Sequence, residues 1–465
     1  MPIDAVVPGE GDRAFLGHPR GLGFLVFAEA WERFSYYGMQ SLLVLYMSQQ
    51  LLLPGHVGNI AGFAAFRGAI ESVYGALSPL ALASVIFGLY AGGVYLTPIA
   101  GGLIADRLLG RTRTVAIGAT LMALGHFLMA FDVSFLIALA CLLAGVGCFK
   151  GNIASQVGEL YAADDLRRAD AFQLYFIGIN VAVIVAPLIC GTLGQKVAWH
   201  WGFGAAGVGM LAGLAVYLAG RKWLPADAVA ERGARTPARR LAVGEGKKIV
   251  VLVALLPILA VSAVGNQQIF NAYLIWGDAN YDLVFFGKSM PVTWLISLDA
   301  IISTTTLIGS LAFWRLYAAR FREPDEITKV TIGTFISAGA PLMLAIASWH
   351  AAASGQKIGL GWGLAFHIIN DIGFANVFPV GIALYSRASP RAVAGMMIGV
   401  YYLHLFAANM MVGWLGGLVE RMTATNFWLL HAGLLAGATL GLLVCRVLFG
   451  SILAPNARAE AVSPN

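Results

Sequence analysis

The chain has 465 residues, 59% of them hydrophobic and only 12% charged, with a mean hydropathy of +0.77. That balance excludes a soluble domain on a single anchor and describes an integral membrane protein. A formal charge of +6 would suit nucleic acid, but lysine and arginine collect in alternate connections. This is the positive-inside pattern of membrane topology, so the bilayer is the expected partner and nucleic acid is not.

Residues 1–20 are polar and precede an apolar run too long for a cleavable signal. Twelve runs of about 20 or more mainly apolar residues follow, at 21–48, 80–105, 112–131, 134–158, 170–194, 200–220, 248–275, 291–318, 327–349, 359–386, 391–418 and 425–450. The connection 49–78 is long and is expected to pack on the surface, with room for a short helix. The four cysteines lie in apolar runs without paired or metal-ligand spacing and read as core residues.

The first run holds Glu29, Glu32 and Arg33. An acid or arginine at the centre of a membrane helix costs roughly 2.5–3.5 kcal/mol, against a gain of about 0.3–0.6 for a large apolar residue. Such groups must face a protein interior or water and find partners there. Spacing at i, i+3 and i+4 puts all three on one face, with Glu29 able to pair with Arg33.

The segment 221–247 is basic and divides the spans six and six. The expected organisation is a cytoplasmic tail at 1–20, a six-helix half at 21–220, a basic cytoplasmic linker at 221–247, a second half at 248–450 and a tail at 451–465. The linker is polar and too short to cross the membrane twice. This layout is that of the major facilitator fold, an all-α membrane protein of twelve helices in two six-helix halves. Between spans 2 and 3, Gly101-Gly-Leu-Ile-Ala-Asp106-Arg107-Leu-Leu-Gly110-Arg111-Thr-Arg113 resembles the cytoplasmic loop motif of that superfamily. Asp106 is expected to pair with a basic neighbour or to cap the next helix.

More specific are Glu29-x-x-Glu32-Arg33, Gly145-Val-Gly147-Cys-Phe-Lys150-Gly-Asn152 in span 4 and Phe172-Gln-Leu-Tyr175-Phe-Ile-Gly-Ile-Asn180 in span 5. Together they resemble the proton-dependent oligopeptide transporter family. The resemblance implies that Glu29, Glu32, Arg33 and Lys150 couple protons to transport. It also implies that Arg33, Tyr37, Tyr95, Lys150 and Asn180 contact a peptide's carboxylate or backbone. Charge agrees: two glutamates balance Arg33 and Lys150. Protonating one glutamate leaves a cation that a substrate carboxylate would answer.

The chain departs from the family pattern at several positions. Gln40 stands where many members have a further arginine, Asn266 in Gly265-Asn266-Gln267-Gln268 where an acid is usual, and Phe374 where a glutamate faces the peptide's amino group. Phe176 replaces a tyrosine one turn before Asn180. Asp299 in span 8, helped by Asp371 in span 10, is expected to take over anchoring of a substrate cation. His367, four residues before Asp371, is a secondary coupling candidate. Gln40, Asn266 and Phe374 thus count among the substrate-binding positions.

The expected function is proton-driven import of di- or tripeptides, or similar zwitterions, by alternating access. The alternatives are a non-peptide or modified-peptide substrate, or a binding-only sensor. Protons and a small peptide are the expected partners, in a monomer set in a bacterial-type inner membrane with both termini cytoplasmic. No phosphate loop, nucleophile and base set or metal constellation is visible, so neither an enzyme nor a metal or cofactor is expected.

Overall fold

The computed structural model describes residues 12–162, 165–227, 245–390 and 393–453. Most of the basic linker, including Arg232, Arg235, Arg239 and Arg240, lies outside the described residues, as do the ends of both tails. Among the described residues the long elements are twelve helices: α1 (Arg20–Tyr46), α2 (Pro79–Ile104), α3 (Arg111–Leu128), α4 (Phe135–Glu159), α5 (Arg167–Ala186), α6 (Trp199–Gly220), α7 (Glu245–Gln267), α8 (Trp294–Ala318), α9 (Glu326–Ser354), α10 (Gly361–Ala388), α11 (Ala394–Gly416) and α12 (Ala424–Leu453). Ten of them are long and apolar enough to cross a membrane by composition alone, and α1 and α3 are the two that are not. In α1 the reason is the charged turn at its middle, which lowers hydropathy without shortening the helix. The twelve expected spans and the all-α class are therefore present.

The long connection after α1 contains the helix Phe63–Tyr74, where the sequence leaves room for one. Its end is fixed by Glu71, which accepts from the Arg67 guanidinium and from the backbone N–H of Leu77, both of which hold its carboxyl below the usual range. A two-residue hairpin, Val284–Phe285 with Lys288–Ser289, joins the short helix Ala272–Asn280 towards α8.

The described residues form two compact units. One holds residues up to Pro79 and from Leu96 through Asp227, the other Leu80–Tyr95 and residues from Glu245 onward. The division differs from an even split at the linker, because the first part of α2 packs with the second unit. Small residues make that packing close: a Cβ on Gly88 would stand 2.5 Å from the Asn409 carbonyl of α11, and one on Gly92 3.2 Å from that of Phe406.

In the first unit α3 and α4 meet backbone to backbone, a Cβ on Gly118 falling 2.7 Å from the Gly145 carbonyl. Gly101 meets the Gly147 carbonyl even more closely. Gly110 turns the chain into α3 with φ +79°, a left-handed conformation that favours glycine. Asp106 pairs with Arg111 at 3.5 Å, and Arg111 also pairs with Glu159. The cap on α3 comes from far away in sequence: Asp227 accepts from the Thr112 backbone N–H at 2.8 Å. Gln156 then donates to the Thr112 hydroxyl at 3.2 Å and accepts from Tyr217 at 2.9 Å, tying α3, α4 and α6 together.

The segment before α1 is anchored to the α4–α5 connection. His18 hydrogen-bonds the Tyr161 hydroxyl at 2.9 Å, and Arg167 reaches both Asp165, at 2.8 Å, and the Gly17 carbonyl. The Arg167 side chain and backbone N–H hold the Asp165 carboxyl below its ordinary value.

In the second unit α9 packs along α10, and at their crossing Gly373 faces the Gly333 carbonyl and the Ser337 hydroxyl, while Gly333 faces the Gly373 carbonyl and the Asn376 and Val377 side chains. Pro341 and Pro379 lie inside these two helices, Pro98 inside α2 and Pro257 inside α7. Pro187 opens a widened turn, Pro187–Gly191, after α5.

Candidate functional site

In the first unit the charged turn of α1 is buried, with Glu32 0%, Glu29 2% and Arg33 5% exposed. Arg33 Nε lies 3.0 Å from Glu29 Oε1 and 2.5 Å from Glu32 Oε2. One guanidinium thus stands between two carboxylates, where the sequence pairs it with Glu29 alone. Its Cζ also stacks over the Tyr36 ring at 5.5 Å, and Tyr36 meets Tyr37 edge to face at 5.1 Å. Lys150, half-buried on α4, acts electrostatically on both glutamates and on Arg33. The structure therefore brings together Glu29, Glu32, Arg33 and Lys150, four groups whose formal charges cancel.

Tyr175 is the residue that sequence reasoning missed here. It is buried on α5 and faces the Glu29 carboxylate. Its signal is the Phe172-Gln-Leu-Tyr175-Phe-Ile-Gly-Ile-Asn180 stretch itself, in which the sequence reading singles out Phe176 and Asn180. Asn180 is half-buried on the same helix and donates to the Phe176 carbonyl at 2.9 Å, and Gln40 is buried two turns beyond Arg33 and one beyond Tyr36.

Tyr95 lies apart from the charged group of α1. It belongs with the second unit and packs against Ala260 and Ala263 of α7 and Leu405 and Ala408 of α11. Asn266 is half-buried on α7 and accepts from Gln267 at 3.1 Å, while Gln267 accepts from Asn409 of α11 at 3.1 Å. Phe374 stacks on Phe378 at 5.5 Å, and Phe378 continues to Tyr401 and Tyr402. At these positions the second unit offers aromatic faces and amides.

Its acids gather elsewhere. Asp299 Oδ1 of α8 lies 2.8 Å from His367 Nδ1 of α10, and His367 Nε2 lies 3.0 Å from the Tyr273 hydroxyl of the short helix Ala272–Asn280. Asp371 accepts from Asn370 at 3.0 Å. One donor atom from each of Asp299, His367 and Asp371 lies within 4.8 Å of the others. His367 and Asp371 share a helix as expected, but the hydrogen-bonded carboxylate of His367 is Asp299. The 2.8 Å separation is that of two atoms sharing a proton, since tetrahedral ligands at zinc bonds of about 2.0–2.1 Å would stand about 3.3 Å apart.

The other buried histidines of this unit are fixed differently. His431 Nδ1 hydrogen-bonds the Phe427 carbonyl at 2.8 Å and its Nε2 takes a Gln268 amide at 3.0 Å, which defines a neutral tautomer. His404 hydrogen-bonds the Tyr401 carbonyl of its own helix.

Known proteins share the chain's sequence and helical architecture. The profile of the POT family matches residues 112–232. A di-/tripeptide transporter of Lactococcus lactis is 30% identical over 92% of this chain and 82% of its own length. A peptide transporter of Yersinia enterocolitica is 28% identical, with 96% of each chain covered. A variant of a POT peptide transporter, solved in complex with alafosfalin, superposes with a TM-score of 0.82 at 25% identity, covering 96% of this chain and 98% of that one. Full-length similarity at these levels, with the same helical architecture, makes this chain a member of the POT family, the proton-dependent oligopeptide transporters.

Proposed function

We propose that the chain is a proton-coupled symporter that imports di- and tripeptides by alternating access. The observation that carries the reading is the buried Arg33 held by both Glu29 and Glu32, with Lys150 acting on the same carboxylates. A buried ion pair is costly to break because the partner left behind is an uncompensated charge. Protonation of Glu32 does that to Arg33, and a peptide carboxylate restores the balance with a charge-assisted, bidentate contact. Proton and peptide therefore bind favourably together, and neither crosses alone.

Lys150 adds a second cation for the carboxylate, and Tyr37 and Asn180 supply polar contacts. The bias of lysine and arginine towards alternate connections supports cytoplasmic termini, and bacterial relatives support a bacterial inner membrane. The working unit in this reading is a monomer.

The test is uptake by purified protein in liposomes under an imposed inward proton gradient, with di- and tripeptides as substrates. Glu32→Gln should sharply reduce gradient-driven accumulation while peptide counterflow persists. Gradient-independent uptake by the wild type, or no uptake of or competition by any peptide, would overturn the reading.

A further inference from the structure

Asp299, His367 and Asp371 are not used by the coupling group on α1, and their charges do not balance. Among the described residues, no lysine or arginine pairs with either aspartate. The groups facing them from each packed element can be named. α8 contributes Asp299, the short helix Tyr273, and the hairpin approach Tyr281, whose hydroxyl lies 3.5 Å from that of Tyr273. α9 contributes the Ser337 hydroxyl, hydrogen-bonded to the Asn370 carbonyl at 3.4 Å, and its His350 is exposed against Trp362. His404 of α11 and His431 of α12 are engaged as described, and α7 carries no charge between Lys248 and Gln267.

With both acids ionised and His367 neutral, the cluster would hold two negative charges without a basic side chain, a strongly unfavourable state for buried groups. Asp371 is 1% exposed, and its Oδ2 has no hydrogen-bond partner. A bare buried carboxylate oxygen forfeits its hydration, whereas a proton on it removes the charge and makes it a donor, with a ligand atom of Asp299 and one of His367 within 4.8 Å of one on Asp371.

His367 can gain a proton without rearrangement. Its Nδ1 hydrogen-bonds Asp299, and the Tyr273 hydroxyl opposite Nε2 can either donate to a bare nitrogen or accept from a protonated one. Tyr281 is placed to supply the hydrogen bond that Tyr273 gives up when it turns.

We propose that Asp299, His367 and Asp371 form a second proton-binding site, in the C-terminal unit and distinct from the Glu29–Glu32–Arg33 group, that takes up and releases one proton in each transport cycle. The cluster is neutral with two protons aboard and singly negative after releasing one, the proton passing to water. Asp299 already has His367 as its partner, which turns the reading of this acid from a substrate amine towards a proton. The inference rests on the symport reading above.

The experiment is the proton-to-peptide ratio, from reversal potentials in proteoliposomes with dialanine as substrate, for the wild type, Asp371→Asn and Asp299→Asn. The expected result is a ratio lower by one proton in each variant, with uptake still gradient-dependent through Glu32. An infrared pH titration of the purified protein needs no transport and decides the matter even if a variant loses counterflow. A carboxylic C=O band that disappears on alkalinisation in the wild type should be missing in Asp371→Asn.

Unchanged ratio and unchanged band would overturn the proposal while leaving symport intact, whereas gradient-independent wild-type uptake would remove the symport reading itself. Two other results would also overturn it. One is an unchanged ratio with a raised KM for dialanine but not for its N-acetyl derivative, which would make the cluster an amino-group site. The other is zinc chloride binding that is abolished by Asp371→Asn and accompanied by no protonated-carboxyl band.

Discussion

A guanidinium has a plane that an ammonium lacks, and Arg33 uses it: the planar group lies over Tyr36 while its Nε stands at ion-pair distance from two carboxylates. Arg33→Lys keeps the charge but offers a compact, more strongly hydrated ion without the fork. Gradient-driven uptake by this variant is expected to fall by about tenfold or more, with counterflow reduced by less. Equal loss in both assays would place Arg33 in binding alone. At this scale the sequence was informative where spacing along one helix defines neighbours, as for Glu29, Glu32 and Arg33. It was silent across helices: nothing in the spacing of His367 and Asp371 announces that Asp299, on α8, is the histidine's hydrogen-bonded carboxylate.

Helix ends and crossings carry most of the specific local chemistry. Asp227 caps α3 from the far side of the half, so Asp227→Ala should lower stability by about 1 kcal/mol, read as a small drop in Tm in detergent. Asp227→Asn should retain most of the cap. At the crossing of α2 and α4, Gly101→Val would drive a branched side chain into the Gly147 backbone. Backbone cannot yield as a flexible side chain can, so a loss of about 1–3 kcal/mol or more is expected, with reduced yield of folded protein.

The anchor of the N-terminal segment is sensitive to acid. Asp165 has its folded value depressed below the ordinary 3.8 by Arg167. Its stabilising contribution is therefore complete above that value and lost as pH falls through the lower, folded one. Asp165→Asn should flatten the acid limb of a plot of Tm against pH, and an unchanged limb would show that Arg167 holds Gly17 without help. All twelve helices were readable from length and apolar content, but not every end: the run 170–194 passes the end of α5 at Ala186, the run 248–275 passes the end of α7 at Gln267, and α9 continues beyond 349 to Ser354. The partner of each helix was not readable: apolar periodicity does not say what a face meets, which is why Tyr95 lies with α7 and α11 and why the Asp227 cap had no local signature.

At the scale of the molecule, coupling of proton and peptide is a linkage that can be measured without transport. A ligand that binds only the folded protein raises Tm according to its concentration over Kd. If protonation strengthens peptide binding, the Tm shift produced by a fixed dialanine concentration should grow as pH falls across the range where transport is active. A shift independent of pH would separate binding from protonation and would leave Glu29 and Glu32 with a structural role. The family was legible because its motifs crowd into α1, α4 and α5. The C-terminal unit was less so, because Asp299 on α8 and His367 and Asp371 on α10 carry no motif that announces their meeting.

The close crossing of Gly333 and Gly373 has a mechanical consequence. Gly373 lies two residues beyond Asp371, and with both backbones, the Ser337 hydroxyl and the Asn376 and Val377 side chains in contact at the junction there is no free space to absorb a slip of one helix over the other. Any displacement of α10 that follows a change of charge at Asp371 must carry α9 along, so this pair is expected to swing as one lever and not as two independent rods.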